Sequence, residues 1–294
     1  MFTRILPHAA LFIANLIYAA NYIITKEVIP LHIGAIGMVL IRVVSAGIVF
    51  FLLHALFIRE GIQSKKDFFS LAICGLFGVA INQMLFFKGL SLTNPINPAI
   101  IMTTTPILVL ISSYFVLKEV INSFKILGIF LGVIGALILI TMSSNSEFSL
   151  NASNAFGDLL VFINALSYGL YLVLVKPLMK KYHPLTIMKW VFFFGVFYVA
   201  PFGYEDLKVA EWTSMPSYVF WCMAYIVFLV TVAAYFLNIW SLNILSPTIV
   251  SFYIYLQPIL ASIIAILLGK DQLNAIMAFC SILIFLGVYF VSKK

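Results

Sequence analysis

The sequence predicts an all-α integral membrane fold in which ten transmembrane helices form two inverted five-helix repeats. Three observations carry that expectation. Of 294 residues, 64% are hydrophobic and only 9% charged, whereas a soluble domain carries roughly 25% charged residues; lipid is the natural solvent of such a surface. The apolar residues come in runs of about 20, the length that crosses a bilayer as a helix. The third observation is that the second half repeats the first. Moved by 152 residues, Pro95 falls on Pro247, Pro106 on Pro258, Lys118-Glu119 on Lys270-Asp271, Asn122 on Asn274 and Gly135 on Gly287. Moved by 150, Tyr18 falls on Tyr168, Lys26 on Lys176 and Met38 on Met188.

The first repeat (1–146) places helices at about 7–25, 33–57, 68–88, 95–117 and 124–142. The second (147–294) places them at about 156–175, 185–203, 217–241, 247–268 and 274–292. Helix 1 outruns the apolar core of a signal peptide and has no convincing cleavage site before Lys26, so it reads as a retained span. Helix 2 is apolar apart from Arg42, about 13 Å from its outer end at 1.5 Å per residue, and His54, which reads as interfacial. Helix 3 carries Asn82 and Gln83. Helices 4 and 9 each hold a proline near mid-span, Pro106 and Pro258, which lacks an N–H and crowds the carbonyl one turn back, at Met102 and Ile254. In lipid such a carbonyl needs another donor; Thr103, Thr104 and Thr105 stand beside the first site and Gln257 beside the second. Helix 5 has a small-residue stripe, Gly128, Gly132 and Gly135, echoed by Cys280 and Gly287 on helix 10, which admits close packing within the repeat or at a dimer contact. Helix 6 opens at Gly157-Asp158, where a carboxylate favours the helix N-terminus. Trp190 on helix 7 is a lining candidate or an interfacial anchor, and helix 8 carries Tyr235 and Asn238. Glu119 and Asp271 follow helices 4 and 9 beside lysines and read as end-of-helix charge pairs. The longest connections, 59–67, 143–155 and 204–216, are too small for a soluble domain.

Loop charges set the orientation. With the N-terminus inside, the cytoplasmic side collects Arg4, Arg59, Lys65, Lys66, Lys118, Lys125, Lys176, Lys180, Lys181, Lys189, Lys293 and Lys294; the other side receives Lys26, Lys88, Lys208 and Lys270. Positive-inside then puts both termini in the cytoplasm of a multi-pass plasma (inner) membrane protein. The net charge of +7 is a topology signal and a contact with anionic lipid, so no nucleic-acid partner is expected. Five spans per repeat make the second copy enter the membrane from the opposite side. Such halves can alternate between inward- and outward-open states around a site near the midplane.

The polar residues within spans are the candidates for that site. Asn15, Tyr18 and Tyr22 share a face of helix 1, and Asn164, Tyr168 and Tyr171 share a face of helix 6. Asn82, Gln83, Thr105, Tyr235, Asn238, Tyr253 and Gln257 complete a neutral, aromatic, hydrogen-bonding set suited to a small amphipathic or zwitterionic substrate. Each of these also serves helix packing on the plainer reading. Arg42 reads either as an anion clamp or as a structural bond to carbonyls or a loop carboxylate; Pro106 and Pro258 shape the site or its gates. No Asp or Glu lies well inside a span, so no proton relay is evident. Cys74, Cys222 and Cys280 and the four histidines (His8, His32, His54 and His183) match no metal-ligand spacing, and no catalytic set lies near a bilayer face. Neither a metal, a cofactor nor an enzyme is expected, and the chain is expected as a monomer or homodimer.

The order of these motifs resembles the drug/metabolite transporter superfamily, in particular its ten-helix EamA-type members. The resemblance is carried by Tyr18-Ala-Ala-Asn21-Tyr22 followed by Lys26, by Arg42 and Ala46, by Pro106, Lys118-Glu119 and the glycines of helix 5, and in the second half by Gly157-Asp158, Lys176, Pro258 and Lys270-Asp271. Tyr18 stands where that family usually has Trp, and Asp271 where it usually has Glu. The resemblance covers essentially the whole chain. It implies an alternating-access exporter or exchanger of small metabolites such as amino acids, with a proton-coupled permease, or a channel, as alternatives.

Overall fold

The computed structural model describes residues 2–92, 96–143, 152–267 and 275–293. Among the described residues the chain is helical and forms no strand. In order, the helices are α1 (Phe2–Lys26), α2 (Ala35–Phe57), α3 (Lys65–Leu92), α4 (Ile96–Met102 and Thr105–Leu117), α5 (Ser123–Ser143), α6 (Ala152–Val175), α7 (Pro184–Val209), α8 (Ser217–Ile244), α9 (Pro247–Phe252, a 3-10 turn and Leu256–Leu267) and α10 (Ala275–Ser292). Eight of them are long and apolar enough to cross a membrane, while the apolar stretches of α5 and α10, Ser123–Ile138 and Ala278–Ser292, are shorter. The expected pairings of Pro95 with Pro247, Asn122 with Asn274 and Lys118-Glu119 with Lys270-Asp271 involve residues outside those described.

Local chemistry sets the boundaries. α3 starts at Lys65, three residues before the expected 68, because the Ser64 hydroxyl accepts the Asp67 N–H at 3.1 Å and so caps the helix. α7 opens with Pro184 at its first position, where the missing N–H costs nothing, and runs on to Val209, beyond the expected 203. α4 ends at Lys118, which turns left-handed at φ 56°. α2 begins at Ala35, which puts Arg42 about 10 Å along the helix.

Three expectations need correction. Asp158 does not open α6: the helix begins at Ala152, so the carboxylate falls past the first turn. Glu119 forms its charge pair with Lys125 at 2.9 Å, at the entry to α5, and not with the adjacent Lys118. The small-residue stripe serves neither packing within one half nor a dimer contact, because it joins α5 to α10. A methyl group at Gly128 would lie 2.7 Å from the Gly287 carbonyl, and one at Gly135 3.0 Å from the Cys280 carbonyl. These two crossings exchange under the 152-residue displacement.

The remaining contacts follow the same rule. α2 packs on α7; α1 packs on α8 and α9, while α6 packs on α3 and α4. Each pair maps onto another pair, or onto itself, when the halves are exchanged. The ends of α2 and α7 are tied in matching fashion. Asp206 of α7 accepts the Gly37 N–H at 2.9 Å, and Glu60, just past α2, accepts the His183 N–H at 2.9 Å and the Thr186 hydroxyl at 2.6 Å. Each carboxylate thus meets a helix N-terminus, where negative charge is favoured.

Candidate functional site: a buried polar cluster between the halves

Both α3 and α8 widen into π-helical turns at mid-length, Leu76–Ile81 and Ile226–Ala234. A wide turn interrupts the regular bonding ladder and leaves carbonyls that apolar surroundings cannot satisfy. Side chains meet carbonyls at and beside these turns: Ser167 donates to Phe77 O at 2.6 Å, Asn164 to Asn82 O at 2.6 Å, Thr231 to Ile226 O at 2.8 Å and Asn238 to Ala234 O at 2.8 Å. The polar residues of α6 and α8 are therefore set first by the backbone irregularity of their neighbours.

Immediately after the wide turns come Asn82, Gln83 and Tyr235. Gln83 Nε2 donates to Tyr235 Oη at 3.1 Å, and Tyr235 Oη approaches Asn82 Oδ1 at 3.5 Å. Gln83 and Tyr235 are 152 residues apart, so each stands on the other's repeat position. The same holds for Thr103 and Tyr255, whose hydroxyl donates to Thr103 O at 2.9 Å. From α1, Tyr18 Oη accepts Asn238 Nδ2 at 3.3 Å, and Asn15 Oδ1 accepts Gln257 Nε2 at 2.9 Å. Arg42 donates through Nε to Thr231 Oγ1 at 2.9 Å, lies 5.3 Å over the Phe87 ring and is within electrostatic range of Tyr18 and Tyr235. Tyr168 and Tyr171 stack obliquely at 6.4 Å, and the Tyr171 ring fills the place where Gly78 lacks a side chain.

The structure thus brings Tyr18, Arg42, Asn82, Gln83, Asn164, Tyr168, Tyr171, Tyr235 and Asn238 into one cluster. Buried within it, Gln83 Oε1, Asn164 Oδ1 and Tyr171 Oη have no partner among the described residues. Asn15 and Gln257 form a second group towards α9. There Gln257, Thr103 and Pro258 border a cavity of about 180 Å³ whose other walls are Met102, Ala136, Ile140, Ile254, Tyr255 and Ala261. Tyr253 stands apart, its hydroxyl 2.7 Å from His8 Nδ1. Thr105 is fully buried, and its hydroxyl has no partner among the described residues. The Tyr22 side chain lies outside those described. Trp190 packs away from the cluster against Phe68, Phe193 and Phe194.

Pro106 does not kink a continuous helix. The chain breaks at Thr103 and Thr104, and Pro106 sits in the first turn of the helix that restarts at Thr105. The Thr103 and Thr104 hydroxyls bond to Ile100 O at 2.6 Å and Ile101 O at 2.7 Å; in α9, Pro258 follows the 3-10 turn Tyr253–Tyr255. A proline in a first turn removes an N–H that had no partner to lose. Sequence reasoning missed Thr231, Ser167 and Tyr255. Thr231 is one polar group in an apolar run, while Ser167 and Tyr255 stand close to the polar candidates Tyr168 and Tyr253 with nothing to say which helix they face. At one rim, Lys181 Nζ and Tyr182 Oη both donate to Asp67 at 2.9 Å; the carboxylate raises the Lys181 ammonium above its ordinary value. Among the described residues no group of His, Cys, Asp and Glu is arranged to hold a metal.

A model of the EamA-like transporter family matches residues 6–141 and again 155–293. The chain is similar to the uncharacterized transporter YyaM of Bacillus subtilis (strain 168), 28% identical over 81% of this chain and 78% of that one. It is also similar to an uncharacterized transporter of Archaeoglobus fulgidus, 24% identical over 98% and 97%. One solved crystal structure superposes with a TM-score of 0.78 over 97% of this chain and 96% of its own, at 15% identity, a likeness of fold.

Proposed function

The chain belongs to the EamA-like transporter family of multi-pass membrane proteins, and on that premise we propose that it carries small metabolites such as amino acids by alternating access. The halves are inverted five-helix repeats of ten spans in all, with both termini on the cytoplasmic side of the plasma membrane. The double match of the family model supports the two copies, as do the helix pairs that interchange when the halves are exchanged. The observation that carries the reading is the polar-aromatic cluster joining α1, α2, α3, α6 and α8, with buried groups of unmet hydrogen-bonding capacity. Buried polar groups ordinarily find partners, so a substrate or water has a place to bind there. The cluster has no carboxylate among its described members, which favours exchange over proton-driven transport.

The test is a metabolite screen in proteoliposomes, read as saturable counterflow, which a channel does not give. Tyr18→Ala and Tyr168→Ala are expected to reduce transport of the substrate found, and unchanged transport by both folded variants rejects the site. Transport that ceases when the pH gradient is collapsed rejects exchange.

A further inference from the structure

We propose that Arg42 is the anion-binding residue of this cluster, so that the carried compound presents one carboxylate to Arg42 and N–H donors to Gln83 and Asn164. The assignment rests on the transporter reading and specifies its ligand.

Arg42 is only 4% exposed, and an uncompensated charge at such a position costs at least a few kcal/mol. Its compensation in this state is slight. The guanidinium has five N–H donors; among the described residues one of them is bonded, through Nε to Thr231, and a ring face lies beneath it. The ion pairs among the described residues are Lys125–Glu119, Lys181–Asp67 and Lys208–Glu205, none of which involves Arg42. A purely structural arginine would place its terminal nitrogens on carbonyls or a carboxylate, and no such bond occurs among the described residues. Thr231 gives its own proton to Ile226 O at 2.8 Å, so its oxygen is free to accept from Nε and fix the plane of the guanidinium. A planar fork held on one side is the geometry that receives a carboxylate in two parallel bonds.

Two other members of the cluster have the complementary chemistry. Asn164 spends its amide nitrogen on a carbonyl, which can only accept, so its free atom Oδ1 is an acceptor. Gln83 spends its nitrogen on Tyr235, leaving Oε1 as a second acceptor. Both residues are at least nine-tenths buried. A fixed cation and two acceptors describe a ligand with one anionic group and one N–H-bearing group. A single guanidinium balances one negative charge, which one carboxylate supplies in the planar geometry of the fork. The repeat position of Arg42 in α7 is Phe192, so this anion site exists once.

The test uses purified full-length protein with nine probes: L-leucine, L-phenylalanine and L-threonine as free acids, methyl esters and decarboxylated amines. Thermal unfolding and counterflow are measured for wild type, Arg42→Met, Arg42→Lys and Thr231→Val. Acids are expected to stabilise wild type and to compete in counterflow where esters and amines do not. Without ligand, Arg42→Met is expected to be as stable as wild type or more so, since removing an unpaired buried charge relieves its desolvation. Its half-saturation for acids should rise about 10- to 100-fold, the range of a hydrogen bond to a charged group. Arg42→Lys keeps the charge without the fork, Thr231→Val keeps the fork without its anchor, and both should fall between. Acid preference retained by Arg42→Met, equal response of wild type to acids, esters and amines, or collapse of unliganded Arg42→Met overturns the assignment. A wild type that responds to none of the nine defeats the substrate class itself, however Arg42 behaves.

Discussion

Where α3 crosses the start of α6, Gly89 and Gly157 bring the backbones together, each leaving about 3 Å between the other's carbonyl and any added methyl. Where α8 crosses the start of α1, the corresponding residues are Ser241 and Pro7, and the serine hydroxyl donates to the Pro7 carbonyl at 3.0 Å. One crossing is closed by absent side chains and the other by a hydrogen bond. The same contrast recurs within the helices: Arg42 against Phe192, Gln83 against Tyr235, Thr105 against Gln257. The helices obey the repeat, while the side chains of the cluster keep it at Tyr18 and Tyr168 and depart from it at these three pairs. Machinery that changes shape needs two similar halves; a site that holds an asymmetric ligand needs two different ones.

The comparison breaks most visibly at the glycine crossings of α5 and α10. Gly287→Leu should destabilise the protein by about 3 kcal/mol or prevent folding, because its Cβ would stand 2.7 Å from the Gly128 carbonyl. The loss or lowering of a cooperative melt in detergent measures this. Next come the unlike crossings: Gly89→Ala should cost roughly 1–3 kcal/mol by overpacking, and Ser241→Ala only about 1 kcal/mol for one hydrogen bond, so equal losses would erase the distinction. Asn15→Ala, which removes the acceptor of the Gln257 amide, should weaken substrate binding while moving the melting temperature little; a reversed pattern would make that pair structural. At the small end, Lys181→Met should lower stability at neutral pH only slightly, since the lysine is half exposed and Tyr182 still donates to Asp67. The wild-type ammonium is raised by Asp67, so its contribution is present below the ordinary lysine pKa of about 10.4 and is lost only as pH rises through the raised value. A wild-type advantage over Lys181→Met that is large at neutral pH, or that is already lost below pH 9, would contradict this.

Helix positions were legible because hydrophobic length depends on residue type alone. The duplication was legible because Pro106 and Pro258, or Tyr18 and Tyr168, repeat at fixed spacing. The wide turns of α3 and α8 were not: no proline or glycine pattern marks them in common, and their evidence is the set of side chains serving the carbonyls. Arg42 could be singled out from its charge, yet its partner Thr231 could not, because a lone hydroxyl in an apolar run carries no address. The break in α4 was half legible. Pro106 announced an irregularity, and the three threonines announced donors, but a restart differs from a kink only in backbone geometry.

The bonds Gln83–Tyr235 and Thr103–Tyr255 each join a residue to its own counterpart 152 positions away. Suppose the proposed carrier changes state by letting each half adopt the other's shape. A bond between two unrelated positions, such as Asn15–Gln257, would then have to become a bond between their counterparts, Ala165 and Thr105. Alanine has no polar group to make it, so the bond must open in every cycle. A bond between counterpart side chains, as in Gln83–Tyr235, stays between the same two positions, whereas Tyr255 Oη meets the Thr103 backbone carbonyl, and its counterpart would run from the Thr103 hydroxyl to the Tyr255 carbonyl. Gln83–Tyr235 is thus the pivot pin of the motion: a covalent staple across it should leave the carrier turning over, whereas one from position 15 to position 257 should stop it.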